Sequence, residues 1–392
     1  MKDEVYVVDG LRTPFGSLGG VLSDVAAPQL AATVIKGLLN RNSLPAEAVG
    51  EVILGQVLSG GCGQAPARQA MRAAGLPDAI PALTINKVCG SGLKAIMLGS
   101  DSIKLGNSDV VLAGGMENMS LAPYFLKKAR AGFRMGNGEL FDLMIHDGLQ
   151  DPYTGRHMGE IGEDSAERNL LSRAAQDDWA MRSFQLAQLA IKDGTFKDEI
   201  APVTKKGRGA EIVVSEDEEP LRSDPANLPQ LKSAFKKEGT ITAGNASSIS
   251  DGAALLLLAG ADAVKQHNLK PRARVVASAT ESLHPDYFPE APVGAIRKVC
   301  ARAGLSLADI DLFEINEAFA SVPLIAIKEL KLDPAKVNVN GGACAIGHPI
   351  GASGARLAVT VVRELHKRKL RYGLATLCIG GGEAVAVIFE RV

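Results

Sequence analysis

The feature that most constrains this chain is an internal duplication. Residues 89–95 read CGSGLKA and lead to VVLAGGMEN at 110–118. Residues 351–358 read GASGARLA and lead to ATLCIGGGEA at 375–384. Both stretches carry Ser-Gly followed two positions on by a basic residue, Lys94 or Arg356. Both end in Gly-Gly-x-Glu, at 114–117 and, with one extra glycine, at 380–383. Upstream, AVGEVILGQ at 48–56 stands to Cys89 much as DIDLFEINE at 309–317 stands to His348. Repeats of this length do not build a solenoid of short units. They predict two similar α/β halves, packed face to face about a pseudo-two-fold axis.

The local pattern agrees. Short apolar runs at 5–8, 52–54, 110–113, 312–315, 374–378 and 384–389 read as buried strands, with helical patterns such as 26–40 and 352–367 between them. Alternating strands and helices predict α/β layers with largely parallel sheets. Aromatics are only 4% while Gly numbers 42, which favours closely packed layers. From 120 to 250 the pattern breaks into loops, a charged helix at 172–192 and the acidic run SEDEEP. This reads as an insertion with a small fold of its own and a solvated surface.

Composition excludes several classes. A net charge of −1 implies no basic face for nucleic acid. No apolar run approaches the roughly 20 residues of a membrane span. The opening MKDEVYVVDG reads as a strand and not as a signal peptide. The five cysteines, Cys62, Cys89, Cys300, Cys344 and Cys378, are scattered and form no disulfide framework. The expected setting is the cytoplasm.

Cys89 stands at a glycine-rich turn where a helix begins. Taken locally it is more readily a small apolar turn residue than a nucleophile. A helix start favours thiolate, so a lowered pKa is expected there. No histidine lies nearby in sequence, but the duplication places His348 at the matching turn of the second half. A two-fold axis would bring the two turns together, with His348 as the base of a Cys–His pair. Cys378 ends an apolar strand before three glycines; it is a core cysteine or a second thiol able to shuttle a proton. The glycine N–H groups after it could bind an oxyanion. Asn316, at another strand end, could hold a water or satisfy a loop. Cys344 and His348 are four apart, yet two ligands and no CxxC do not make a metal site. No glycine run fits a nucleotide loop.

The motifs NKVCGSGLKA, GGMENMS, TAGNAS, NEAFA, GHPIGASGAR and LCIGGGEA, in that order, resemble the thiolase family over essentially the whole chain. The resemblance implies a five-layered αβαβα fold. One half would span 1–119, completed by about 250–270, and the other 271–392. A loop domain at 120–249 would serve coenzyme A binding and oligomerisation, as a dimer or tetramer. Cys89 matches the acylated nucleophile, His348 its activating base and an oxyanion donor, and Cys378 the second acid/base. Asn316 matches the holder of an oxyanion water. The N–H groups of Cys89 and Gly380 match the other oxyanion hole. His157 and Met158, in HMGE, look like the acetoacetyl-CoA type with a short acyl pocket. Ser247 matches a pantetheine contact, Ala318 and Phe319 pocket walls, Leu149 an adenine-side contact, and Arg222 a contact to the nucleotide end. QLKSAF at 230–235 departs from the family pattern, and the segment before it, which holds Arg222, aligns poorly. The implied activity is reversible acetyl-CoA C-acetyltransfer, with acetyl-CoA, acetoacetyl-CoA and CoA as substrates and products and no separate cofactor. Its rivals are a longer-chain 3-ketoacyl-CoA thiolase and a non-catalytic acyl-CoA-binding protein.

Overall fold

The duplication is visible in the strand order. The computed structural model describes residues 4–392; residues 1–3, where the opening-strand reading begins, lie outside it. The first half contributes β1 (Val5–Arg12), β2 (Glu51–Gly55), β3 (Ala82–Ile85), β4 (Val110–Asn118) and β5 (Ser250–Gly260). The second contributes β6 (Ala273–Ser282), β7 (Leu312–Ile315), β8 (Tyr372–Ile379) and β9 (Glu383–Arg391). Their spatial order is β3-β2-β4-β5-β1-β6-β9-β8-β7. Read outward from the centre, β1, β5, β4 and β2 mirror β6, β9, β8 and β7. Among the described residues two pairs, Tyr6 with Arg274 and Val7 with Ala273, join the halves as one sheet. The place of β3 is taken in the second half by a parallel bridge from Phe313 to Val337.

The expectation of largely parallel sheets needs correction. Among the pairs of described strands in the main sheet, β2–β3, β2–β4 and β7–β8 are parallel. The central pairs are antiparallel. The cause is local in the second half. Gly381 and Gly382 take φ of 93° and 91°, a left-handed turn that reverses the chain at once from β8 into β9. A hairpin can only pair antiparallel.

The longer helices are α1 (Ala27–Arg41), α2 (Pro66–Ala73), α3 (Ser91–Lys104), α4 (Met158–Arg168), α5 (Arg173–Lys192), α6 (Ala291–Ala303), α7 (Ser321–Leu330) and α8 (Ser353–Lys367). Helices α1 and α2 cover one outer face, α6 and α7 the other, and α3 with α8 fill the middle. This is a five-layered αβαβα stack from two similar halves. It explains the run LLLL in β5. Side chains alternate across a strand, so Leu255 and Leu257 enter the outer core while Leu256 and Leu258 enter the central one.

The middle layer is thin where the helices cross. A Cβ on Gly92 would stand 2.9 Å from the Ala355 nitrogen and the Gly351 oxygen. One on Gly354 would stand 2.7 Å from the Leu93 nitrogen. These two duplicated glycines let the first turns of α3 and α8 touch. Between β4 and β5 the chain leaves the main sheet and forms α4, α5 and short hairpins. The 172–192 expectation corresponds to α5, with the Ser172 hydroxyl accepting from the Ala175 N–H. Arg12 of β1 ties this excursion down. Fully buried, it pairs with Glu199 at 2.6 Å and with both oxygens of Asp217 at 2.6 and 2.8 Å.

Candidate active site

Cys89 lies two residues before α3, on a turn that its duplicated serine holds. The Ser91 hydroxyl accepts from the Lys87 N–H at 2.8 Å and donates to the Val88 carbonyl at 2.7 Å. Val88 takes φ 46°, a left-handed conformation costly for a β-branched residue. Cys89 is half-buried and packs against the cluster of Val57, Leu58, Met119 and Ile350. That enclosure reverses the lowered pKa expected at a helix start. Burial pushes the thiol up to about 11, Glu117 adds a smaller push, and the N–H groups of Gly380 and Cys89 itself pull it back only in part. Loss of water around the sulfur outweighs the two N–H groups.

His348 stands at the matching turn before α8. Its N–H is held by the Ser248 carbonyl at 3.0 Å. Its Nδ1 lies 2.6 Å from the Ser353 hydroxyl, which donates to the Pro349 carbonyl at 2.8 Å. The hydroxyl has one proton, already committed to Pro349, so it accepts from Nδ1–H. This assigns the proton to Nδ1 and leaves Nε2 with a lone pair. Nε2 lies 3.4 Å from the Asn316 amide nitrogen. Burial, then the positive charge of Arg356, lowers His348 to about 3. The imidazole is therefore a neutral acceptor at neutral pH. Asn316 follows β7, with its N–H on the Thr376 carbonyl at 3.0 Å. Its side-chain oxygen is buried without a partner among the described residues, as a water-holding group would be.

Cys378 is buried near the end of β8, opposite Ala384. Burial, then the neighbouring charge of Cys89, holds its thiol well above the ordinary value. Gly380 follows. A Cβ there would lie 3.4 Å from the Met158 sulfur and 3.6 Å from Val88 Cγ1, so Met158, Gly380 and the Cys89 turn meet. Leading from Met158 is a cleft of about 690 Å³. Leu149, His157, Met158, Ser247, Ala318 and Phe319 line it, and so does Arg222. His157 caps α4, its Nδ1 accepting from the Gly159 N–H at 3.0 Å. Ser247 donates its hydroxyl to the Ala318 carbonyl at 3.0 Å. Arg222 is exposed and paired with Glu218 at 2.9 Å.

Three residues escaped the sequence reading. Phe235 lines the cleft and stacks on His157, ring centroids 4.9 Å apart. It lay inside QLKSAF, where the family pattern departs, and its aromatic ring was the available signal. Ser353 was visible only as half of a repeated Ser-Gly. Glu117 was visible only as the end of Gly-Gly-x-Glu. Among the described residues, no group of three or more His, Cys, Asp or Glu is placed to hold a metal ion.

Known proteins share this architecture. Residues 5–262 match the family model of the thiolase N-terminal domain, and 269–391 that of the thiolase C-terminal domain. An acetyl-CoA acetyltransferase of Pseudomonas aeruginosa is 49% identical over 390 residues, covering 99% of each chain. A probable acetyl-CoA acetyltransferase of Escherichia coli is 48% identical over 392 residues, covering all of both. The crystal structure of the Bacillus anthracis acetyl-CoA acetyltransferase superposes with a TM-score of 0.97 at 42% identity, over 99% of each chain. With both family models matched along nearly its full length, this chain belongs to the thiolase family.

Proposed function

We propose that this protein is an acetyl-CoA C-acetyltransferase, an acyltransferase that reversibly condenses two acetyl-CoA into acetoacetyl-CoA and CoA through an acetyl-Cys89 intermediate. One observation carries the reading. The duplicated turns bearing Cys89 and His348 come together with Cys378, Gly380 and Asn316, and Met158, which lies beside Gly380, also lines the cleft.

In the first step the Cys89 sulfur attacks the acetyl carbonyl, and its proton passes to His348 Nε2. The N–H groups of Cys89 and Gly380 receive the carbonyl oxygen as it gains charge. The C–S bond to CoA breaks, and the departing thiolate takes the proton from His348. Cys378 then passes its thiol proton to His348 Nε2 and, as thiolate, removes a methyl proton from a second acetyl-CoA. The enolate oxygen is held by the Nε2–H of His348, now protonated, and a water on Asn316. The enolate carbon attacks the acetyl-enzyme, the Cys89 thiolate leaves and takes the proton from His348 Nε2, and Cys378 keeps the methyl proton, which restores both thiols. CoA is substrate and product, and the protein itself takes up and returns only protons and one acetyl group.

The rival reading, a longer-chain 3-ketoacyl-CoA thiolase, shares these residues. Met158 crowding Gly380 favours the short acyl group. We take the loop domain as 120–249, between halves at 1–119 with about 250–270 and at 271–392. We further take the protein to be a cytoplasmic homo-oligomer, dimer or tetramer. The exposed edge strand β3 and the exposed Leu121, Tyr124, Phe133, Met135 and Leu140 support an oligomer. No described helix is long and apolar enough to cross a membrane. Thiolysis of 3-ketoacyl-CoAs from four to sixteen carbons, with radiolabelled acetyl-CoA to locate the acyl group, tests the assignment. The four-carbon substrate should be cleaved fastest and the label should sit on Cys89. Equal rates at eight carbons and beyond, or label on Cys378 alone, would overturn it.

A further inference from the structure

The backbone around the two turns converges on one carboxylate. Glu117, in β4, is completely buried. Its Oε2 accepts from the Val57 N–H at 3.0 Å and the Gly351 N–H at 2.9 Å, and its Oε1 from the Leu58 N–H at 3.1 Å. Val57 and Leu58 follow β2, and their side chains form, with Ile350, the wall against which Cys89 packs. Gly351 belongs to the turn that presents His348. A Cβ on Gly351 would stand 2.7 Å from Glu117 Oε2 and 2.6 Å from the Met116 oxygen, so this approach requires glycine.

We propose that Glu117 is a positioning residue for the acyl transfer, holding the Cys89 wall and the His348 turn in one fixed relation. This rests on the assignment of Cys89 and His348 above. The bonding explains why a carboxylate stands here. Three N–H donors need two oxygens that both accept, and an amide would turn one acceptor into a donor facing a donor. The second half supplies the counterpart. Glu317 accepts from the Cys344 N–H at 3.1 Å, from Trp179 Nε1 at 2.9 Å and from Asn338 Nδ2 at 2.8 Å. The segment carrying His348 is therefore held at residue 344 by the second half and at residue 351 by the first.

The charge of Glu117 has a second effect. Among the described residues no lysine or arginine pairs with it; Asp251, Cys89 and Cys62 are the titratable groups whose charges act with it. Burial raises its carboxyl to about 7 despite the three N–H donors. Its negative charge opposes thiolate at Cys89. Glu117 thus favours the protonated thiol while keeping the base in reach.

The test compares full-length Glu117→Gln and Glu117→Asp with the parent. The readouts are kcat and KM for acetoacetyl-CoA thiolysis and the rate of Cys89 alkylation by iodoacetamide, followed on the Cys89 peptide. Misplacing a catalytic group by ~1 Å costs on the order of 10²-fold in rate. Glu117→Gln should lose about that much kcat, with KM within about twofold because the cleft residues are untouched. Its Cys89 should be alkylated faster than the parent's, since an opposing charge is gone. Glu117→Asp should lose kcat without faster alkylation. A Glu117→Gln kcat within about threefold of the parent, or alkylation that slows along with kcat while KM rises, would overturn the proposal. A parent without thiolase activity would sink the functional assignment alone. The alkylation comparison would still decide the role of Glu117 beside Cys89: faster in Glu117→Gln supports it and an unchanged rate overturns it.

Discussion

At Cys89 and His348 the resting pair is neutral on both sides. With the thiol near 11 and the imidazole near 3, neither ionises at pH 7 on its own. The nucleophile must form by proton transfer from sulfur to Nε2 as the electrophile arrives. Two consequences separate this from a free thiolate. A free thiolate well below its pKa rises about tenfold per pH unit. The parent should instead show no rise in Cys89 alkylation between pH 5 and 8, only a modest decline as Glu117 takes up its charge near pH 7, because His348 is an available acceptor throughout. His348→Asn should lose that plateau and fall about tenfold per unit from pH 9 to 6. A parent whose rate itself falls tenfold per unit would show that His348 does not accept the proton. The assignment of that proton's destination depends on Ser353, whose hydroxyl fills Nδ1 and frees Nε2.

At the scale of elements, the site exists because α3 and α8 begin almost in contact. Gly92 and Gly354 occupy the same place in the two repeats and meet at the same crossing. Replacing either by alanine puts a methyl against backbone atoms of the partner helix, which cannot swing aside. Alanine gains up to about 1 kcal/mol in helix propensity, and less in a first turn. Overpacking costs about 1–3 kcal/mol. Urea unfolding of Gly354→Ala should therefore show net destabilisation. A double variant should fall short of the sum of the singles, since the first shift already separates the helices. A stabilised Gly354→Ala would mean that the crossing is looser than the structure has it.

For the whole molecule, the excursion between β4 and β5 must be anchored for the cleft to exist, since Glu219, Arg222 and Phe235 come from it. Arg12 supplies that anchor from β1, stacked also over Phe196 at 4.9 Å. Removing one partner of a buried ion pair costs about 3–5 kcal/mol, because the other charges stay buried. Arg12→Met should lower stability by that order in urea unfolding and raise KM for CoA more than it lowers kcat. An unchanged KM would mean that the 217–222 segment is held without it.

The sequence by itself determined the duplication and the alternation of strands and helices, and through the resemblance it pointed to Cys89, His348, Cys378 and Asn316 as the proposed site. The first two are carried by spacing along the chain, and spacing is preserved on folding. The antiparallel centre is partly legible in the sequence, in the glycines between β8 and β9. What only the tertiary structure decided is the protonation of the thiols, the tautomer of His348 and the place of Glu117. These depend on how much water is lost and which donors arrive, summed over neighbours from residues 57, 248, 316, 350 and 380. No periodicity encodes that sum. The same cysteine at a helix start would be acidic if open to solvent, and this one is held neutral by walls that both halves of the chain bring to it.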